Sequence, residues 1–430
     1  MKKKLFVISV DSLFFDDLPW LEECPNLYGI YQRGSVVQKM RSSYPAMTYV
    51  AHATMMTGCY QEKHGIYHNE KVEVGVDHPA WHWYRRELGT STIFDAAKEA
   101  DYTTACVNWP VTGADPHIDY NIPEIWSDDP GGDSRSRFQA VCSEGMMELY
   151  DRYAHLLNWK YQPELDNFGV HCLYEVIRDH EPDVILLHLS YLDHARHKFG
   201  AFSPEAKTAL LECDRKVGML FDLMREKEIF EQYDVAVMGD HGHLPVKQVF
   251  HPNVLLEKEG LIQLDENGKV KDYQCYIHSA GISAHVVLKD PSDQEVRCRV
   301  EKLLREWCEN EAYGCEQYFD KKELKEKYHL EGPFDYVIEG WVGTAFGNNC
   351  SGEVLCPTDN SDYKLSVSAH GHLPEKGPQP IFFAAGPDIR TGVIIEKADL
   401  TDEAPTYAEI LGVEMPWAQG CVLKEILKNK

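Results

Sequence analysis

Four groups of polar residues in this chain have the types and spacing that metal-assisted chemistry needs. They are Asp11; Asp193-His194-Ala195-Arg196-His197; Gly239-Asp240-His241-Gly242-His243; and Ala369-His370-Gly371-His372. Asp and His are ligands that borderline divalent metals such as Zn²⁺ accept. Singly, each group has a plain explanation: a helix cap, surface histidines, a turn. Together they point to a two-ion site, because two metals about 3.5–4 Å apart clamp the attacking and leaving oxygens of an in-line displacement. A nucleophile for such a site is offered by the stretch Ser42-Ser43-Tyr44-Pro45-Ala46-Met47-Thr48-Tyr49-Val50-Ala51-His52. Pro45 ends regular structure. From Thr48 onward, Val50, Ala51, Ala53, Met55 and Met56 suit a helix packed on a core. Thr48 therefore stands at a helix start, where free N–H groups and the dipole favour an anion. Its hydroxyl reads either as an N-cap, which the stretch alone favours, or as a nucleophile aimed at phosphate, which requires the metal ligands found elsewhere.

The elements that must position these residues follow an alternating pattern. Leu5–Val10, Thr103–Asn108, Asp183–Leu189 and Tyr233–Met238 are short apolar runs that predict buried parallel strands. Helical patterns run over Thr92–Ala100, Phe168–Asp179 and Pro204–Lys227. Three of the strands end shortly before an acidic residue (Asp11, Asp193 and Asp240), at the carboxyl edge where open α/β sheets keep their sites. The expected fold is an α/β sandwich, a mostly parallel sheet with helices on both faces, plus a smaller α+β insertion. Residues 1–252 would form the first part of the catalytic core, with an irregular excursion over 115–162. Residues 253–362 would form the insertion or cap, and 363–430 would close the core with the run Ile381–Ala385.

Lys plus Arg number 43 against 69 Asp plus Glu, a net charge of -26. That balance excludes a sequence-independent nucleic-acid coat, which needs a basic surface. It leaves small phosphate substrates open, since bound cations reverse the local sign. Thirteen cysteines without CxxC pairs predict reduced thiols rather than a disulfide framework. The apolar run after Lys2-Lys3-Lys4 stops at Ser9, too soon for a signal peptide, and no run is long enough to span a bilayer. The expectation is a soluble cytoplasmic protein with no membrane partner, its oligomeric state open.

These motifs resemble the alkaline phosphatase superfamily, most closely its nucleotide pyrophosphatase/phosphodiesterase branch. Thr48 with His52, Thr57-Gly58 and His64-Gly65-Ile66 with Asn69 match the nucleophile segment of that branch. The segments Gly386-Pro387-Asp388, Ala404-Pro405-Thr406 and Leu411-Gly412-Val413 match its closing pattern. The resemblance implies two divalent ions, zinc in the family. Asp11, Thr48, Asp240 and His241 would hold one ion, and Asp193, His197 and His370 the other. Thr48 would be the nucleophile, passing through a threonyl-phosphate, and Asn69 would hydrogen-bond a phosphoryl oxygen. Tyr49 and Trp109 fall at positions of the nucleotide pocket, with Trp109 equally readable as core. The implied reaction is hydrolysis of a phosphodiester or pyrophosphate, with a nucleotide as the expected partner. Departures at Tyr49-Val50-Ala51, Arg196 and His372 leave the ligands intact and open the question of substrate. Phosphomonoesterase, phosphonate hydrolase or phosphomutase chemistry is the alternative among enzymes, and an inactive metal-binding protein the alternative outside them.

Overall fold

The computed structural model describes residues 2–76, 79–126, 133–157 and 162–428. Its centre is an eight-stranded sheet formed by β1 (Lys4–Val10), β2 (Ser35–Arg41), β3 (Thr104–Val107), β4 (Tyr120–Ile122), β5 (Val184–Leu189), β6 (Tyr233–Met238), β7 (Phe382–Ala385) and β8 (Ile394–Asp399). The spatial order is β8-β2-β7-β6-β1-β5-β3-β4. All neighbours run parallel except β7, which is antiparallel to both β2 and β6. The central strands β1, β5 and β6 are buried almost throughout, which is why their sequences read as continuous apolar runs.

Two helix groups cover this sheet. One comprises Pro25–Arg33, Glu164–His180 and Pro204–Glu226, and the other Thr48–Thr57, Ile93–Glu99 and Glu403–Leu411, each group in contact within itself. Apolar side chains from both groups and from the sheet merge into one continuous core. Strands β1, β3, β5 and β6, the long helices and the closing run thus lie where the sequence pattern predicts them. Among the described residues no helix is long and apolar enough to cross a membrane.

A second sheet is antiparallel, with strands Cys275–Ser279, Ser283–Leu288, Tyr336–Gly340 and Cys315–Asp320 side by side. The helix Gln294–Glu309 buries Val296, Val300, Leu304 and Trp307 in a separate apolar cluster there. A third, small sheet begins at Leu244, before the expected boundary at 253, and includes Leu244–Phe250, Gly343–Phe346 and Leu355–Cys356. The excursion 115–162 carries more regular structure than its sequence suggests: β4 and the helices Ser134–Gln139 and Met146–Tyr153. Its residues 127–132 and 158–161 lie outside the described part.

Candidate active site

Because β6, β1 and β5 are neighbours, the residues that follow them converge at one edge of the sheet. Asp11 directly follows β1, and Asp240 lies two residues beyond β6. After β5 the chain turns into the helix Tyr191–Phe199, which places Asp193 and His197 one turn apart, with His197 Nε2 3.4 Å from an Asp193 oxygen. His370 arrives on a different segment, where Ala369 pairs with Leu244. Gly371 has a φ of 87°, and a Cβ there would run into the Ala280 carbonyl oxygen. Only glycine fits that turn.

Thr48 is the first residue of a helix whose ten residues are all buried, and Met47 is the cap. The N-cap reading of Thr48 therefore fails. Its Oγ1 lies 3.1 Å from His241 Nε2 instead of bonding backbone N–H groups. His241 Nε2 is also 3.4 Å from Asp11 Oδ1 and 3.3 Å from Asp240 Oδ2. One cluster of donors thus contains Asp11, Asp240, His241 and Thr48, and a second contains Asp193, His197 and His370. Within each Asp/His triad the donor atoms lie within 4.8 Å of one another.

The hydrogen bonds show which atoms are left to coordinate. Asp240 Oδ1 accepts the N–H groups of Ser12 (2.8 Å) and His241 (3.0 Å), while its Oδ2 is buried without a partner. Asp11 Oδ1 and His197 Nε2 are buried and unpartnered as well. His197 donates Nδ1–H to the Ser368 carbonyl (2.8 Å) and His370 donates Nδ1–H to the Ala46 carbonyl (3.1 Å). Those bonds fix the tautomers and leave Nε2 lone pairs for a metal. Burial pushes the Asp11 carboxyl up, and the Asp240 and Asp193 carboxylates push it further. Such a set of crowded, unsatisfied acceptors fits divalent cations, and the mixed Asp/His donors suit zinc.

Residues outside the expected ligand set complete the surroundings. His243 Nε2 is 2.7 Å from Asp193 Oδ1, so it orients that carboxylate. His52 bonds the Thr48 carbonyl and the Ser9 hydroxyl behind the nucleophile. His188 is a residue that sequence reasoning passed over. It donates to Asp11 Oδ2 (3.1 Å) and to the Asn108 carbonyl (3.1 Å), so both ring nitrogens carry protons. Burial opposes that charge, but Asp11 and Glu124 hold the imidazole pKa well above its usual range. The signal was present: His188 is the one polar residue in the apolar run Val184–Leu189.

A cavity of about 450 Å³ opens over this centre, with Asp11, Thr48, Asn69, Asp193, His197 and His370 on its floor and walls. Asp240 and His241 lie beneath it, buried. Asn69 Oδ1 accepts the Tyr49 N–H at 3.0 Å, which turns its amide Nδ2 the other way. Tyr49 lines the cavity, as expected, together with Trp81, Trp126 and Tyr363. Trp81 packs edge-on against Tyr49 (5.1 Å) and Trp126 (4.7 Å).

One expectation needs correction, and one departure is explained. Trp109 is 1% exposed, packs on the His52 ring at 4.8 Å and does not line the cavity. It is core, because the turn after β3 sends it under the nucleophile helix. Arg196, one of the departures from the family pattern, is fully buried in a salt bridge with Asp17 at 2.5 Å and lies over the Phe14 ring. Lys198 does line the cavity.

Comparison with known proteins gives the family and the fold. The human ectonucleotide pyrophosphatase/phosphodiesterase family member 5 is 22% identical over 418 residues, covering 96% of this chain and 75% of that protein. The venom phosphodiesterase of Macrovipera lebetinus is 26% identical over 234 residues, 52% of this chain and 23% of that protein. The chain thus matches only about a quarter of the length of the venom relatives. Murine ectonucleotide pyrophosphatase/phosphodiesterase 5, solved as an inactive variant in complex with AMP, superimposes with a TM-score of 0.67 at 18% identity, over 99% of this chain and 100% of that one. The human enzyme's structure gives a TM-score of 0.68 at 17% identity over the same shares, so the alkaline-phosphatase-like fold is shared. Residues 5–369, most of the chain, match the family described as type I phosphodiesterase / nucleotide pyrophosphatase, and the chain belongs to that family.

Proposed function

We propose that this protein is a metal-dependent phosphodiesterase that hydrolyses nucleotide-like esters through Thr48. The observation that carries the reading is the convergence of the Thr48 hydroxyl with two Asp/His donor clusters beneath an aromatic-walled cavity. Asp11, Asp240, His241 and Thr48 would hold one zinc ion and Asp193, His197 and His370 the other. Bound there, two such ions lower the pKa of the attacking hydroxyl and neutralise charge on the phosphoryl oxygens.

Thr48 Oγ1 attacks phosphorus in line, and the bond to the leaving alcohol breaks on the opposite side. The threonyl ester is then cut by water in a second displacement, which restores the hydroxyl. Asn69 Nδ2 donates to a phosphoryl oxygen as charge grows on it. The second substituent of the diester rests against Tyr49, Trp81 and Trp126, where a base could stack for roughly 1–3 kcal/mol. That the murine relative was solved in complex with AMP supports a nucleotide as the class of substrate. We also place the protein, as a proposal, in a reducing compartment such as the cytoplasm, on thirteen free cysteines.

The diester preference follows from the neutral Asn69 amide. Monoester dianions favour an Arg fork. Arg196 is committed to Asp17 and supplies none. A nucleoside 5′-monophosphate 4-nitrophenyl ester should therefore show a higher kcat/KM than 4-nitrophenyl phosphate. A ratio favouring the monoester in the wild type, reversed by Lys198→Ala, would move the protein to phosphomonoesterase chemistry.

A further inference from the structure

Residues 69–70 and 363–364 meet as two consecutive pairs. Lys364 Nζ lies 2.7 Å from each carboxylate oxygen of Glu70, and both side chains are buried. One residue earlier in each segment, Asn69 Nδ2 donates to Tyr363 Oη at 3.4 Å. The ion pair stands among three buried histidines, His68, His278 and His285. Donor atoms of His68, Glu70 and His278 lie within 4.8 Å of one another, a spacing that would suit a metal. The hydrogen bonds argue against one. His68 donates Nε2–H to the Ser279 carbonyl (3.0 Å) and accepts the Glu70 N–H at Nδ1 (2.8 Å), so no lone pair is spare. Burial holds the His68, His278 and His285 rings neutral, and Lys364 is the cation of this cluster.

The position of that cation matters because of what adjoins it. The Tyr363 ring stacks on His370 (5.7 Å, 27°), meets His197 edge-on at 5.4 Å and lies 5.9 Å from Trp81. It lines the cavity beside Asn69. A phenol carries its proton at neutral pH, so the hydroxyl is available as a donor. Tyr363 Oη accepts from Asn69, and no acceptor among the described residues takes its own proton. Asn69 in turn has its Oδ1 committed to Tyr49 and a second Nδ2 hydrogen left over.

We propose that Tyr363 is a second donor to the phosphoryl group, acting beside Asn69, and that the buried Glu70–Lys364 pair is the clasp that sets both donors at once. The proposal rests on the phosphodiester reading above. Two neutral donors held by one clasp face the oxygen that gains charge in the transition state, where fixed dipoles count most. Tyr363 is a catalytic residue by this account, and Glu70 and Lys364 are positioning residues.

The test uses the full-length, zinc-loaded protein and Tyr363→Phe. Turnover of the nucleoside 5′-monophosphate 4-nitrophenyl ester should fall about 10- to 100-fold, chiefly in kcat, with metal content unchanged. Affinity for orthovanadate, which mimics the five-coordinate phosphorus, should weaken by a similar factor. The vanadate measurement needs no turnover, so a wild type inert toward every ester would sink the phosphodiesterase reading and still leave this one decided. Equal vanadate affinity in the two proteins would overturn it. So would a neutral Tyr363→Phe beside an impaired Tyr363→Ala, which would make the ring a platform only. For the clasp, Glu70→Gln with Lys364→Met should lower kcat with KM unchanged, and should cost less in the Tyr363→Phe background than in the wild type, because there only Asn69 is left to be misplaced. Fully additive losses would overturn the positioning role. Lys364→Arg, which keeps the charge, should recover most of the rate.

Discussion

At the scale of single residues, the site depends on where hydroxyl, amide and ring nitrogens are left unpaired. Thr48 Oγ1 has His241 Nε2 as its neighbour at 3.1 Å and caps nothing, so it is free to be a nucleophile. Thr48→Ala should therefore keep the fold and most of the metal while losing at least about 10³-fold in kcat, and Thr48→Ser should retain part of the rate. A Thr48→Ala protein near the wild-type rate, measured by stopped assays at matched metal content, would mean that water attacks phosphorus directly. The two tryptophans give a second contrast. Trp81→Ala should raise KM for the nucleoside ester about 5- to 100-fold through lost stacking. Trp109→Phe should leave KM unchanged and lower unfolding free energy by about 1–2 kcal/mol, because Trp109 fills core. The Asp and His residues that the fold gathers were legible in the sequence because four such groups recur and three follow apolar runs. Trp109, Arg196 and His188 were not, because residue type does not say which way a side chain faces. Trp109 turned inward, Arg196 found Asp17, and His188 turned from its strand to Asp11.

At the scale of elements, three adjacent parallel strands bring their carboxyl ends together, and the second sheet braces what they carry. Glu339, on the strand Tyr336–Gly340, accepts from the Tyr44 hydroxyl (3.0 Å), the Leu373 N–H (3.1 Å) and Lys376 Nζ (2.8 Å). Tyr44 leads into the nucleophile helix and Leu373 follows the His370 turn, so one carboxyl ties both segments to the insertion. Burial pushes Glu339 up to about 7, with Lys376 pulling the other way. The folded value lies above the ordinary 4.5, so the folded state holds this proton more tightly. Its contribution to stability is fully present below about 4.5 and is lost as pH rises to about 7. Measured by urea unfolding, the wild type should lose about 3 kcal/mol relative to Glu339→Gln between pH 4.5 and 7.5. Parallel pH profiles for the two proteins would contradict that. The strands β1, β5 and β6 were readable as unbroken apolar runs, whereas β2 and β8 were not. The outermost strand, β8, keeps Ile394 exposed and alternates poorly, and β2 carries Gln38 and Lys39 in its middle. An edge strand need not write its burial into its sequence.

At the scale of the whole molecule, a chain of net charge -26 gathers three carboxylates, Asp11, Asp193 and Asp240, at one edge of its central sheet. Asp11, Asp193 and Asp240 repel one another in the metal-free protein, and burial adds to the cost. The fold holds them together anyway, on segments that follow three adjacent strands with a shared core. The central claim is that this arrangement is a two-metal phosphodiesterase site. It is tested most directly by titrating zinc into chelator-stripped protein while following hydrolysis of a nucleoside 5′-monophosphate 4-nitrophenyl ester. The account predicts no turnover in the stripped protein and a rate that rises to a plateau at two ions per chain. Full activity without metal, or none at any zinc concentration, would contradict it.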